Sequence, residues 1–414
     1  MKQSEKEFDS LEEALPKEGW LGAYLKFTSG LEMCPRFRFF SACCVMGTII
    51  NNKVWIQRGD EGLLPKLFPN PWVILLAPPG RGHKTATINM AVNCLEQATP
   101  NARVLADKLT PETLVKNLSA PQTSREKIRI GPRDATGLIK APEISVFFGK
   151  QQYNVGMVSL ITDLYDFREV WRGETIGRGK ESLKNNCLSI LGGSTPQWLQ
   201  HMLPQDAFTG GFMSRFILVE MPINYFKRVT HPRKPAGTSW KTLVEHLRSF
   251  EEVKGKFEWT SSGLKEYDVC YTEGQPTGNV QEDAYRERES EQILRIAMLL
   301  AIDQGRLKLD GVSVLKAKEI IYLLRKEIGS RIEQLTTHPR MQIVSDIEDL
   351  LKIHGKLSEV DLLNRTYRSL SQGERQFYEA INILRNRGIL HVEDSGEKKG
   401  DGTKCWIFSL KERR

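Results

Sequence analysis

No stretch of the 414 residues approaches the roughly 20 consecutive apolar residues of a membrane-spanning helix. The opening segment "MKQSEKEFDSLEEALPKEGW" is charged where a secretory signal needs an apolar core. A cytoplasmic protein without a membrane partner is therefore expected. The seven cysteines, Cys34, Cys43, Cys44, Cys94, Cys187, Cys270 and Cys405, include no C-x-x-C pair and no histidine at zinc-ligand spacing. That excludes a zinc ribbon and a dithiol redox site, and leaves reduced, mostly buried thiols. Internal repeats and low-complexity tracts are also missing, so a solenoid or a disordered tail is not indicated.

What is present is an ordinary globular composition with a basic excess: 59 Lys and Arg against 51 Asp and Glu, a net charge of +8. Such a balance suits a polyanionic partner better than an acidic small substrate. The length allows two or three domains, and the pattern divides four ways. Residues 1–70 read as an N-terminal helical region. Residues 71–222 alternate short apolar runs with helical stretches, the pattern of a parallel α/β sheet covered by helices. Residues 223–336 begin as a polar, basic connection and become strongly helical, with apolar residues at three and four spacing, as in a lid. Residues 337–414 read as three short helices, then "LHVED", a charged turn "SGEKKGDG" and "KCWIFSL". Three helices and a β-hairpin predict a winged helix.

The segment "WVILLAPPGRGHKTATINMA", Trp72 to Ala91, has the strand, loop and helix context of a P-loop. Aligned on Lys84 and Thr85, however, it lacks two glycines of G-x-x-x-x-G-K-[ST], with Pro78 and His83 in their places. Gly80 and Gly82 supply flexible backbone inside the loop. In this reading Pro79, Gly80, Arg81, Gly82, His83, Lys84, Thr85 and Ala86 cradle ATP phosphates, because backbone N–H groups at a helix N-terminus favour anions. Lys84 reaches the β- and γ-phosphates and the Thr85 hydroxyl holds Mg²⁺. A downstream acid must orient the attacking water. "TGLIKAPEIS" offers Glu143, although Ala141 and Pro142 stand where a metal-binding aspartate is expected. Asp163 and Asp166 in "LITDLYDF" are alternative acids, at a spacing that also suits a surface or capping role.

The runs "APEISVFFGKQQYNVGMVSLITDLYDFREVW" and "LSILGGSTPQWLQHMLPQDAFTGGFMSRFILVEMP" resemble the P-loop domain of uncharacterised phage and mobile-element replication proteins, kin to primase-associated helicases. In that family the loop commonly reads Gly-Arg-Gly-x-Lys-Thr and the second motif Ala-Pro-Glu, so both departures noted above are family habits. The resemblance covers about residues 20–300 and implies the cytoplasm of a bacterial host and a possible primase partner. A wider resemblance is to AAA+ ring motors of the minichromosome-maintenance type. It implies that Arg215 in "GGFMSRFILV" is an arginine finger serving a neighbouring subunit's nucleotide. It also implies that Ser194 or Thr195 in "ILGGST" is a polar sensor, and that Arg288 in "RERESEQILRIAMLL", with Arg295 on the same face, belongs to a second sensor helix.

In ring helicases an inserted hairpin ahead of the sensor strand lines the pore, and here that place holds "WRGETIGRGKESLKNN" with Arg172, Arg178, Lys180 and Lys184. Cations on a hairpin suit tracking of a phosphate backbone. In the winged helix, Arg375, Gln376 and Tyr378 near the start of the third helix are candidates to face a groove, and Lys398, Lys399 and Lys404 to touch phosphate from the wing. The expectation is a AAA+-like, ring-forming, hexameric ATPase on single-stranded or forked DNA. A DNA-binding initiator or helicase loader that uses ATP as a switch without unwinding is the alternative, and a binding protein with a dead P-loop a third.

Overall fold

The computed structural model describes residues 10–61, 63–105, 108–119, 134–148, 156–175, 179–202, 211–273, 280–336, 339–367, 374–398 and 404–411. Two compact units divide the chain, residues 1–335 and 336–414.

The first unit is built on a six-stranded sheet. Its strands are β1 (Trp72–Leu76), β2 (Val104–Leu105), β3 (Asp134–Ala141), β4 (Val170–Thr175), β5 (Gly179–Ser194) and β6 (Ile217–Glu220). The order is β2-β3-β5-β1-β6, all parallel, and β4 lies antiparallel along the first half of β5. The sequence "WVILL" of β1 is uniformly apolar because β1 is central and covered on both faces. Alternation decides which cover each residue meets. Val73, Leu75 and Ala77 join one apolar cluster, whereas Trp72, Ile74 and Leu76 join the other.

Three helices dominate the first of those clusters: α1 (Pro35–Ile50), α2 (Lys84–Ala98) and, later in the chain, Glu289–Asp303. Residues 36–50 of α1 are buried along their whole length, including Arg36 and Arg38. Arg36 is matched by Glu12 at 2.8 Å and by the Glu220 carbonyl at 3.2 Å. Arg38 donates to the Leu25 carbonyl at 2.7 Å and to the Thr28 hydroxyl at 2.9 Å. The helical N-terminal segment and Glu289–Asp303 thus share the core of the sheet. The second cluster includes α3 (Met157–Tyr165), which packs on the opposite face. The helix Glu289–Asp303 is α4 below.

Asp303, at the end of α4, caps the helix Gly19–Phe27. It accepts from the Trp20 N–H at 2.7 Å and the Leu21 N–H at 3.3 Å. Gly19 has no alternative there: its φ is +71°, and a Cβ would lie 2.1 Å from the Asp303 carboxylate. Burial pushes the Asp303 carboxyl up to about 6, with the Leu21 and Trp20 N–H groups opposing. A carboxyl raised in the folded state is held protonated more tightly folded than unfolded. Its contribution is therefore full below about pH 4 and falls away as the pH climbs through 6, by at most about 3 kcal/mol. Asp303→Asn is expected to flatten melting temperature against pH between about 4 and 6, and a slope equal to that of the wild type would contradict this.

The second unit, described by itself, runs α5 (Pro339–His354), β7 (Lys356–Ser358), α6 (Glu359–Thr366), α7 (Glu374–Asn386), β8 (Leu390–Lys398) and β9 (Lys404–Leu410). Its sheet has the order β7-β9-β8, antiparallel throughout. Ser358 caps α6 by accepting from the Asp361 N–H at 3.1 Å. Ile347, Leu351, Leu362, Phe377, Leu384 and Phe408 form its small core.

All seven cysteines are free, six of them buried. Burial pushes the Cys34, Cys94 and Cys187 thiols up to about 12, which removes them as nucleophiles. Among the described residues no helix is long and apolar enough to cross a membrane.

Candidate functional site

The loop between β1 and α2 leaves the carboxyl end of a central strand, where ligands of open α/β sheets bind. Three of its residues are left-handed: Gly80 at φ +68°, Gly82 at +72° and His83 at +52°. Around Gly80 there is space, since a Cβ would meet nothing within 4 Å. Gly82 is closed in, because a Cβ there would lie 2.9 Å from the Phe37 ring and 3.1 Å from the Met221 sulfur. The two glycines therefore have different duties, one opening the loop and one letting it pack on α1.

His83 holds a conformation that costs most side chains about 1–2 kcal/mol. Its Nε2 lies 2.9 Å from Glu32 Oε2. Glu32 also accepts from the Val229 N–H at 2.7 Å and lies 3.4 Å from Arg228. The Val229 N–H lowers the Glu32 pKa against desolvation, and His83 adds to the effect. Arg81 donates to the Tyr225 carbonyl at 3.1 Å. The loop is thus braced on one side by the segments around residues 32 and 225–229. Glu32 carries no signal in the sequence, because its partners lie 51 and 197 residues away.

Lys84 is only 8% exposed, and its Nζ donates to the Ala77 carbonyl at 2.8 Å and the Pro78 carbonyl at 3.4 Å. Burial lowers its pKa, with the charge of Glu143 opposing. Thr85 and Ala86 are exposed on the first turn of α2, as are Pro79, Gly80 and Arg81 in the loop. Glu143 follows the end of β3 and is exposed. Ala141 of β3 and Ile74 of β1 both stand level with Gly192 of β5, which puts Glu143 on the same sheet edge as the loop. One strand lies between them, so β1 and β3 are separated by about 10 Å. Gly192 and Gly193 make the turn possible: a Cβ on Gly193 would sit 2.6 Å from the Pro142 carbonyl oxygen, and one on Gly192 2.6 Å from Ile144. Ser194 is buried, donating to the Thr195 carbonyl at 3.1 Å, and the Thr195 hydroxyl accepts from the Trp198 N–H at 3.2 Å. Both hydroxyls thus have partners within their own strand and turn.

Arg215 and Arg288 lie at the opposite edge. Val73 pairs with Ile217, so Arg215 precedes the first residue of β6 at the amino-terminal end of β1. The five residues of β1 put about 16 Å between that end and the loop. There, three guanidiniums stand over one ring: Arg215 at 5.3 Å, Arg288 at 5.0 Å and Arg295 at 4.8 Å from the centroid of Tyr165. Asp166 faces Arg288 at 3.5 Å and Arg215 at 3.9 Å. Glu291 pairs with Arg58 at 2.9 Å and Arg288 at 3.2 Å. Burial would raise the Glu291 pKa, but the charges of Arg295, Arg58 and Arg288 outweigh it. Burial and the charge of Arg288 lower the Arg215 pKa. Arg295 donates to the Phe68 carbonyl at 2.8 Å and is a buried structural residue. Asp163, the other acid of α3, is exposed and lies 3.5 Å from Arg168. Tyr165, Glu291 and Arg58 were missed by pattern reasoning, since only the fold brings residues 58, 165 and 291 together.

The β4–β5 ribbon extends from the same edge. Directly opposed residues share a face, and the register pairs Val170 with Lys184, Arg172 with Ser182 and Glu174 with Lys180. Arg172, Lys180 and Lys184 therefore line one face, and all are exposed. Trp171 and Leu183 line the other and pack on the core. Arg178 lies outside the described residues.

In the second unit Arg375 is exposed, 3.1 Å from Glu379, Tyr378 is exposed and Gln376 is buried. Lys404 is exposed and bound to Asp394 at 2.7 Å. Lys398 lies opposite it in the register, and Lys399 falls outside the described residues.

No protein-family model and no curated protein matches the chain.

Proposed function

We propose that residues 1–335 are a AAA+-like P-loop ATPase with the helices after residue 240 as its lid, and that residues 336–414 are a winged helix. In this reading the chain is a ring-forming, hexameric motor on DNA, a replication helicase kin to those of phages and mobile elements. One observation carries it. Lys84, Thr85 and Glu143 share the carboxyl edge of the sheet with a single strand between their own strands. A separation of about 10 Å leaves room for a terminal phosphate and a water between the lysine and the acid.

Each residue then has a physical task. Lys84 exchanges the two carbonyls of Ala77 and Pro78 for phosphate oxygens, so that its ammonium meets an anionic acceptor in place of two neutral ones. Glu143 orients the attacking water. Mg²⁺ is commonly carried on substrate phosphates with one or two protein ligands, and here the Thr85 hydroxyl would hold it. When bound, Mg²⁺ neutralises phosphate charge. Arg215 and Arg288, about 16 Å away along β1, serve a nucleotide held by a neighbouring copy, which is the reason to expect a ring. The exposed face of Arg172, Lys180 and Lys184 takes the DNA backbone, with Arg375 and the wing lysines as a second contact.

The test is phosphate release from MgATP with and without single-stranded DNA, beside a mass measurement in the presence of ATP. DNA-stimulated turnover on an oligomer is expected. A silent ATPase on a monomer would overturn the proposal.

The left-handed His83 supplies a further prediction. His83→Gly suits the backbone and is expected to bind ATP within a few-fold of the wild type. His83→Val, β-branched at φ +52°, is expected to lose about tenfold or more, the equivalent of 1–2 kcal/mol. Equal affinity of the valine variant and the wild type, read with a fluorescent ATP analogue, would show that the left-handed turn is not needed.

A further inference from the structure

The basic ribbon and the arginine pair are joined by one side chain. β5 bends where it enters the core: Asn185 is left-handed at φ +46°, and the register against β3 slips between Asp134 and Thr136. The next residue, Asn186, is 2% exposed. Its Nδ2 donates to the Leu164 carbonyl at 2.8 Å and the Asp166 carbonyl at 3.0 Å, and its Oδ1 accepts from the Arg168 N–H at 2.8 Å. Carbonyls in the last turn of a helix have no partner further along it, and Asn186 supplies one for the end of α3. Its carboxamide thereby clamps residues 164–168.

That clamped segment carries the surroundings of both arginines. The Tyr165 ring lies beneath Arg215 and Arg288, and the Asp166 carboxylate faces both. Both strands of the ribbon are fastened to it as well. β4 begins four residues after Asp166, and β5 is held through Asn186 and through the Asn185 N–H, which donates to the Glu169 carbonyl at 3.0 Å. A displacement of the ribbon pulls on residues 164–168 from two sides, and Tyr165 is itself wedged edge-on against Trp72 at 4.8 Å.

We propose that Asn186 is a positioning residue that couples the ribbon to the arginine pair. A polyanionic strand on the Arg172, Lys180 and Lys184 face shifts residues 164–168 through the Asn186 carboxamide, and so sets where Arg215 and Arg288 stand. The proposal rests on the ATPase reading above, and adds how nucleic acid regulates that same site.

The test uses the full chain. ATP turnover is titrated with a single-stranded oligonucleotide for the wild type, Asn186→Ala and Asp166→Asn, with DNA affinity and melting temperature measured for each. The wild type is expected to be stimulated at least about fivefold, the low end of ordinary coupling between sites. Asn186→Ala is expected to keep its DNA affinity but to lose the stimulation, its turnover at saturating DNA equalling its own turnover without DNA. Asp166→Asn is expected to change kcat with KM unmoved and to blunt the stimulation. The Asp166 side chain is 44% exposed, so this variant keeps the proposal falsifiable should Asn186→Ala fail to fold. Wild-type stimulation ratios in the folded variants would overturn the coupling while leaving the ATPase intact. Absence of turnover in the wild type would sink the ATPase reading itself, and the coupling with it.

Discussion

Lys84→Ala is expected to lower ATP turnover about 10²- to 10³-fold, the range for removing one preorganised donor from developing charge. The effect is large because the ammonium is already in place. It is buried at the carboxyl end of β1 and held by the Ala77 and Pro78 carbonyls, within the field of Glu143. Removing it leaves two carbonyls without that donor, a cost of about 1–3 kcal/mol against a core that spans both faces of the sheet. The variant should therefore fold, with a modest drop in melting temperature. Undiminished turnover in the folded variant would exclude the loop as a catalytic site.

Arg215→Ala is expected to assemble, to bind ATP as the wild type does and to hydrolyse it about 10³-fold more slowly or worse, as for loss of an arginine finger. Intact binding follows from the geometry, because Arg215 is at the far end of β1 from its own loop. In the single chain the Arg215 side chain is 10% exposed, donates to the Gly211 carbonyl at 2.5 Å, faces Asp166 at 3.9 Å and stands over the Tyr165 ring, so reaching a neighbour's nucleotide requires it to leave these partners. Equal losses in ATP affinity and in rate would instead place Arg215 among the residues that support its own chain's loop.

The parallel α/β core was legible because "WVILLA" and "SRFILVEMP" are short apolar runs of strand length, bounded by turns. The edge carrying Lys84 and Glu143 was legible because each residue follows its own apolar strand. The ribbon was less so. "RGKESLKNNCLSILGGS" reads as a polar hairpin followed by a separate strand, yet β5 runs unbroken for 16 residues through both. Its polar half shows no apolar alternation beyond Leu183, and the bend at Asn185 rests on a left-handed backbone that asparagine tolerates but does not announce. The convergence of Arg58, Tyr165, Arg215, Arg288 and Glu291 had no local signature, since Tyr165 and Glu291 meet across 126 residues. Gln376 shows the limit of counting along a helix: its neighbours Arg375 and Tyr378 are exposed while Gln376 turns into the core.

Two edges of one sheet, each holding part of an ATPase site that only a neighbouring copy completes, form the central claim. The most direct measurement is ATP turnover of a mixture of Arg215→Ala and Glu143→Gln subunits. Each variant alone should be nearly inactive, whereas mixed rings contain sites with one partner's intact Glu143 and the other's intact Arg215, and turnover should reappear. A mixture as inactive as its components, under conditions where mixed oligomers form, would contradict it.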